Sequence, residues 1–324
     1  MNTKKILALL LALAMILSLA ACTSGSSEPA EEPAGEAEGS GEAAITITDM
    51  TGREITLDEP ATRVVALSAA DCEVLYAVGA GDTLVGRGEY CDYPAEVLEV
   101  PSVQSGYDTN IEQIIALEPQ VLLMSTMAQT EEQIAQLEEA GIKVVVSDAQ
   151  DIEGVYTAVE MIGKLMGKEK EAEQVITNMK LQFADLAGST AGQGKTIYFE
   201  VSPLEYGLWT AGSGTFMNEI AEMLGMKNIF DDVQGWAEVS EEQVIERDPD
   251  YIVTITMYFG EGPTPEEEIM ARPGWENVTA VQNGAILNLQ NNELSRPTPR
   301  LTDGALMLHN FVVEHPIEEL APAA

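Results

Sequence analysis

Residues 169–188, EKEAEQVITNMKLQFADLAG, decide how the chain is organised. Apolar Ala172, Val175, Ile176, Met179, Phe183 and Leu186 recur at spacings of three, one, three, four and three, the stripe of one helical face. Gly167 precedes the stretch and Gly188 closes it, with no Gly or Pro between them. The spacing predicts one unbroken helix about 28 Å long. On either side lie stretches of comparable length, each alternating short β-branched runs with amphipathic segments.

Upstream, residues 45–48 and 54–57 flank Asp49-Met50-Thr51-Gly52 as an opening hairpin. Apolar strands are predicted at 63–67, 84–88, 121–124 and 143–146, with helices at 71–78, 111–117, 131–140 and 152–166. Downstream the same grammar returns, with strands at 196–201, 251–255 and 285–289 and helices at 216–224, 243–247 and 302–313. Fully apolar strands alternating with helices imply parallel sheets covered on both faces. The expected fold is therefore α/β: two doubly wound lobes, 45–168 and 189–316, joined by the helix at 169–188 and facing one another across a ligand cleft. Residues 317–324 are read as a tail.

An internal echo supports two related lobes. NIEQIIALEPQVLL (110–123) and SEEQVIERDPDYIV (240–253) align at an offset of 130, with Glu112/Glu242, Gln113/Gln243, Ile115/Ile245 and Pro119/Pro249 identical. Each opens on a helix-capping residue, Asn110 or Ser240, and runs past a Pro into an apolar strand. A weaker echo relates 73–79 to 219–225.

The chain begins MNTKKILALLLALAMILSLAAC: two lysines, an uncharged apolar run, then small residues before Cys22. This is the pattern of a secretory signal over 1–21 rather than of a spanning helix, and the cysteine at the cut marks a lipoprotein signal with Cys22 as the lipidated residue. Residues 22–44 follow as a Gly, Ser, Pro, Ala and Glu-rich acidic stretch without large apolar side chains, expected to be a flexible tether. The mature protein is thus expected outside the cytoplasm, held at the cell membrane by lipid alone. With 54 acidic and 16 basic residues the formal charge is −38, which makes nucleic acid and anionic headgroups poor partners. Cys72 and Cys91 could form a disulfide in that compartment or simply pack as thiols.

In a doubly wound sheet, ligands meet the loops beyond the carboxyl ends of the strands. Those loops carry Tyr90, Tyr93, Tyr107, Tyr206, Trp209 and Trp236, in a chain only 6% aromatic. The rings suit a stacking surface for a large flat or apolar ligand, or else plug the lobe cores. Glu112 and Glu242 occupy matching first turns, where they either complement the helix dipole or grip basic residues of a two-fold symmetric partner. Arg296, in SRPTPR (295–300), is presented by a Pro-stiffened loop, for a ligand anion or for an internal salt bridge. The histidines are His309 and His315, both near the C-terminus, which disfavours a histidine-rich zinc or haem pocket and a Ser/His/Asp catalytic set. Gly212-Ser213-Gly214 reads as a turn. No carboxylate pair stands out for acid–base work, so an enzyme is not expected.

These residues bring a resemblance into view. RVVALSAADCEVLYAVGAGDTLVGRGEYCDYP, NIEQIIALEPQVLL, VSEEQVIERDPDYIV and GWENVTAVQNGAI, spread over 45–313, resemble the substrate-binding proteins of ABC importers for cobalamin and ferric siderophores. The resemblance implies two α/β lobes on a helical backbone that open and close little. YCDYP (90–94) and SRPTPR are most similar to the cobalamin branch. It implies a corrinoid ligand packed by Tyr90, Trp209 and Trp236, with Tyr107 nearby and Asn292 and Arg296 as polar contacts. Where that branch carries first-lobe tryptophans, this chain has Gly106 and Ser125, and Asn292 replaces an aspartate. Glu112 and Glu242 coincide with the glutamates that dock on the permease dimer. The implied protein is a monomer without a cofactor or resident metal, which delivers its metal-chelate ligand to an ABC permease and its ATPase. A ferric siderophore or haem is the alternative ligand.

Overall fold

The computed structural model describes residues 44–106, 108–126, 130–290 and 292–317. Among these, the first sheet has five strands in the order β5-β4-β3-β6-β7, all parallel. They are β3 (Val64–Ala66), β4 (Leu84–Gly88), β5 (Ser102–Val103), β6 (Val121–Met124) and β7 (Lys143–Val146). The chain winds outward one way from β3 and the other way from β6, so the switch point lies between those two strands. Every residue of β3 and β6 is buried, which is why both read as unbroken apolar runs. The opening hairpin is an antiparallel pair, β1 (Ile45–Thr48) with β2 (Glu54–Leu57).

Helices α1 (Ala69–Ala77), α2 (Ile111–Ala116), α3 (Glu131–Glu139) and α4 (Ile152–Leu165) connect these strands or lead out of them. Gly167 then takes φ +62°, the left-handed turn that ends α4 and lets the next helix start in a new direction. That helix, α5 (Glu169–Ala187), is the long element expected from the stripe. It buries Ala172, Met179, Phe183 and Leu186 and half-buries Val175 and Ile176. Each of the three large fully buried side chains contributes about 1.5–3 kcal/mol. Gly163 lets α4 and α5 touch: a Cβ there would lie 2.5 Å from the Cβ of Ala172.

The second sheet runs β10-β8-β12-β13, again parallel, from β8 (Thr196–Glu200), β10 (Lys227–Asn228), β12 (Tyr251–Thr254) and β13 (Ile286–Asn288). Its switch point lies between β8 and β12. Helices α6 (Phe216–Met223), α7 (Glu241–Arg247), α8 (Pro265–Met270), α9 (Thr279–Asn283) and α10 (Leu301–Glu314) complete this lobe.

The internal echo has a structural counterpart. Helix α2 leads into β6 beside β3, and α7 leads into β12 beside β8. Asn110 and Ser240 cap these helices by accepting the amides of Gln113 and Gln243 at 3.0 and 3.3 Å. Even the strain repeats: Glu118 and Asp248, each just before a Pro, take left-handed φ values of 48° and 43°.

One reading of the sequence needs correction. Trp209 and Trp236 do not sit on loops; they lie on β9 (Trp209–Ala211) and β11 (Trp236–Glu238), an antiparallel ribbon in which Trp236 pairs with Ala211 and Glu238 with Trp209. The strands are too short to show a period of two. Helices α8 and α9, five or six residues long, escape for the same reason. Cys72 and Cys91 are buried free thiols, both close to the carbonyl of Ala66 (3.7 and 3.9 Å).

Candidate ligand-binding site

The carboxyl ends of both sheets converge on a cavity of about 750 Å³. From the first lobe its wall is built by residues 68–71 after β3, Ser125 and Thr126 after β6, and residues 147–150 after β7. From the second come Val201 and Ser202 after β8, Trp209 and Trp236 from the ribbon, Phe216 opening α6, and residues 295–297. The cavity therefore meets the switch point of the first sheet and the end of β8, where helices diverge and leave a crevice.

One wall is aromatic. Phe216 and Trp236 stack at a tilt with centroids 5.4 Å apart, and Trp209 beside them is 40% exposed. The ribbon fixes the backbone of both tryptophans on its ladder. Trp236 Nε1 donates to Gln150 Oε1 at 2.8 Å, reaching across to the first lobe. Gln150 also accepts the Phe216 amide on its backbone carbonyl at 2.9 Å, and Glu219 accepts the amide of Ile152 at 2.7 Å. The lobes are stitched together at the floor of the cleft.

The opposite wall is polar. Thr126 donates to Asp148 at 2.5 Å. Asp71, in the first turn of α1, is 1% exposed, and burial, reinforced by the Asp148 charge, pushes its carboxyl up to about 7 against the hydroxyls of Ser147 and Ser68. Its Oδ2 has no hydrogen-bond partner among the described residues.

Arg296 lines the cavity yet is held by the first lobe. It donates to Glu73 (3.0 Å), Asp92 (2.6 Å) and the carbonyl of Tyr90 (3.1 Å). Arg300 reaches the same Glu73 carboxylate at 2.9 and 3.0 Å and lies 3.9 Å above the ring of Tyr93. Glu73 is thus a buried hub that joins the last loop of the second lobe to α1 of the first. These contacts raise both guanidinium pKa values despite burial, so the arginines remain charged.

Of the residues singled out in the sequence, Trp209, Trp236 and Arg296 come together at the cavity. Tyr90 is 77% exposed and meets the site through its carbonyl on Arg296. Asn292, at φ 70°, accepts from Ser295 at 3.0 Å and so shapes the turn before Arg296 instead of lining the cavity. Tyr107 and Cys22 lie outside the described residues. Glu112 and Glu242 are both exposed in the first turns of α2 and α7; its own backbone amide, and then the Ser240 hydroxyl, hold Glu242 below the usual carboxyl range. Sequence reasoning missed Asp71, Glu73, Gln150 and Phe216. Asp71 and Glu73 share a helix whose other residues are apolar or Cys, and nothing in that local pattern separates them from solvated carboxylates. No group of three or more His, Cys, Asp or Glu side chains among the described residues is placed to hold a metal ion.

The sequence profile of the periplasmic binding protein family matches residues 64–293. An uncharacterized ABC transporter substrate-binding lipoprotein of Bacillus subtilis is 32% identical over 267 residues, 80% of this chain and 82% of that protein. The vitamin B12-binding protein of Salmonella paratyphi A is 30% identical over 254 residues, 77% of this chain and 90% of its own. Among solved structures, a possible iron-binding (periplasmic solute-binding) protein from Staphylococcus epidermidis superposes with a TM-score of 0.66 at 30% identity, covering 78% of this chain and 99% of that one. With two lobes on one helix, a cleft between them and a match over most of its length, the chain belongs to the periplasmic binding protein family, which includes substrate-binding proteins of ABC transporters.

Proposed function

We propose that this protein captures cobalamin or another corrinoid between its lobes and delivers it to an ABC permease dimer with its ATPase. The observation that carries the reading is the cleft itself: a cavity of about 750 Å³ with Trp209, Trp236 and Phe216 on one wall and polar groups on the other. Such a wall suits a broad, largely apolar ring system, whose burial supplies affinity while the polar wall sets orientation. The similarity to a vitamin B12-binding protein supports the same ligand class. Anionic ferric siderophores suit the cleft less well. Asp71 and Asp148 are acidic, and the one cation of the described lining, Arg296, is already engaged by two carboxylates.

Delivery would use Glu112 and Glu242, exposed at matching places on the two lobes, to grip basic residues of a two-fold permease. The protein would act as a monomer, with residues 1–21 removed, Cys22 lipidated and 22–44 serving as tether to the membrane. Support for the anchor is the leader sequence and the lipoprotein nature of the Bacillus subtilis relative. Calorimetric titration of the full-length protein in detergent with cyanocobalamin, a ferric hydroxamate and haem tests the ligand. Saturable binding of cyanocobalamin alone is expected; binding of either iron chelate in its place would move the protein to iron uptake.

A further inference from the structure

Asp71 stands apart from the other polar groups of the cleft. Its neighbours in the wall are already committed: Thr126 bonds Asp148, Gln150 bonds Trp236, and Arg296 bonds Glu73 and Asp92. Asp71 lines the same cavity at 1% exposure, yet its Oδ2 has no partner among the described residues. A buried polar atom left unpaired costs about 1–3 kcal/mol, so a ligand group that satisfies it gains on that scale.

The surroundings decide which form of the carboxyl waits there. Asp148, on the segment after β7, faces it as a second carboxylate. Glu73, on its own helix, is occupied by Arg296 and Arg300 and brings no proton donor to Asp71. Arg296, also in the lining, is saturated by Glu73, Asp92 and the Tyr90 carbonyl. Cys72, next in sequence, is a buried thiol pushed well up by Cys91 and burial. Ser68 and Ser147 contribute neutral hydroxyls. No free cation among the described residues compensates a negative charge on Asp71, and burial raises its pKa to about 7.

We infer that Asp71 is a ligand-binding residue which, as the neutral acid, pairs with a primary carboxamide of the ligand. The inference rests on the corrinoid reading, because carboxamides fringe that ring system. In the pair the acid O–H donates to the amide carbonyl, and the carboxyl C=O accepts from the amide N–H. An anionic ligand group placed there would meet Asp71 and Asp148 together, so the same residue discriminates against carboxylate-edged chelates.

Capture is then linked to protonation. When only the neutral form binds, apparent affinity scales with the neutral fraction. For a group titrating near 7, Kd for cyanocobalamin should weaken about tenfold from pH 6 to pH 8.

The test is titration of the full-length protein in detergent with cyanocobalamin, whose own charge is constant over this range, at pH 6, 7 and 8. Asp71→Asn keeps the size of the side chain, a donor and an acceptor but cannot ionise; its Kd should lose the pH slope. Asp71→Ala should weaken binding at pH 6 by about tenfold, and if it does not fold, the Asn variant still decides the matter. A flat wild-type profile, or an Asp71→Asn protein that retains the wild-type slope, overturns the role of Asp71 while leaving a corrinoid ligand intact. Absence of wild-type binding at every pH overturns the corrinoid reading and this inference with it.

Discussion

Replacing Glu73 with Gln removes one charge from the hub that joins the two lobes. The Glu73 side chain is 2% exposed, against 14% for Arg296 and 13% for Arg300. At an effective dielectric constant near 20, each guanidinium attracts the carboxylate by about 4 kcal/mol at 4 Å, before the cost of desolvation is set against it. With its oxygen in the Oε1 position Gln can still accept from both arginines, but its NH2, in the Oε2 position, then faces Nε of Arg300, donor against donor. Breaking a buried pair in this way costs about 3–5 kcal/mol. Arg296 keeps Asp92 at 2.6 Å, and Arg300 keeps the Tyr93 ring at 3.9 Å and Glu293 at 3.5 Å. The loss should therefore fall at the low end, about 3 kcal/mol. Urea denaturation reads this as a lower midpoint with the slope preserved. A destabilisation under about 1 kcal/mol would refute the hub, because that is the worth of a solvent-screened surface pair.

Arg272 and Glu200 form a second buried pair, at 2.6 and 2.8 Å with side chains 2% and 1% exposed. Arg272→Met should cost about 3–5 kcal/mol, and adding Glu200→Met should recover most of it; a double variant no more stable than the single would contradict the pairing. Burial already raises the Glu200 pKa beside its partner. Without Arg272 it should rise further, so the Arg272→Met protein should lose stability as pH rises through that value and be more stable at pH 5 than at pH 8. Trp209→Ala and Trp236→Ala should each weaken cyanocobalamin binding by about 10- to 100-fold in the same titration; unchanged affinity in both would remove the aromatic wall from the site. Replacing Glu112 and Glu242 together with Ala should abolish cobalamin uptake by cells while ligand affinity stays intact, and lost affinity would contradict a docking role.

The long helix was legible because a stripe without Gly or Pro over nineteen residues has one reading, and the helix occupies Glu169–Ala187. The parallel strands were legible for a related reason. Burial on both faces leaves runs such as Val121–Met124 and Lys143–Val146 nearly all apolar, and turn residues bound them. Local patterning could not reveal the ribbon of β9 and β11, whose strands are three residues each and take their register from one another. The site divided along similar lines. Tryptophans and a Pro-flanked arginine stand out by type, so Trp209, Trp236 and Arg296 could be named. Glu73 could not: the pair it makes with Arg296 spans 223 residues, and along its own helix it reads as an ordinary solvated carboxylate. Phe216 and Gln150 look like core and loop until the lobes come together. Asp71 differs from a surface aspartate only in what the fold wraps around it.

The most direct measurement is a crystal structure of the protein grown with cyanocobalamin. The corrin should lie in the cavity between the lobes, in van der Waals contact with Trp209 and Trp236 and with a carboxamide at Asp71. A corrin bound elsewhere on the surface, or a cleft that stays empty of it at saturating concentration, would contradict capture between the lobes.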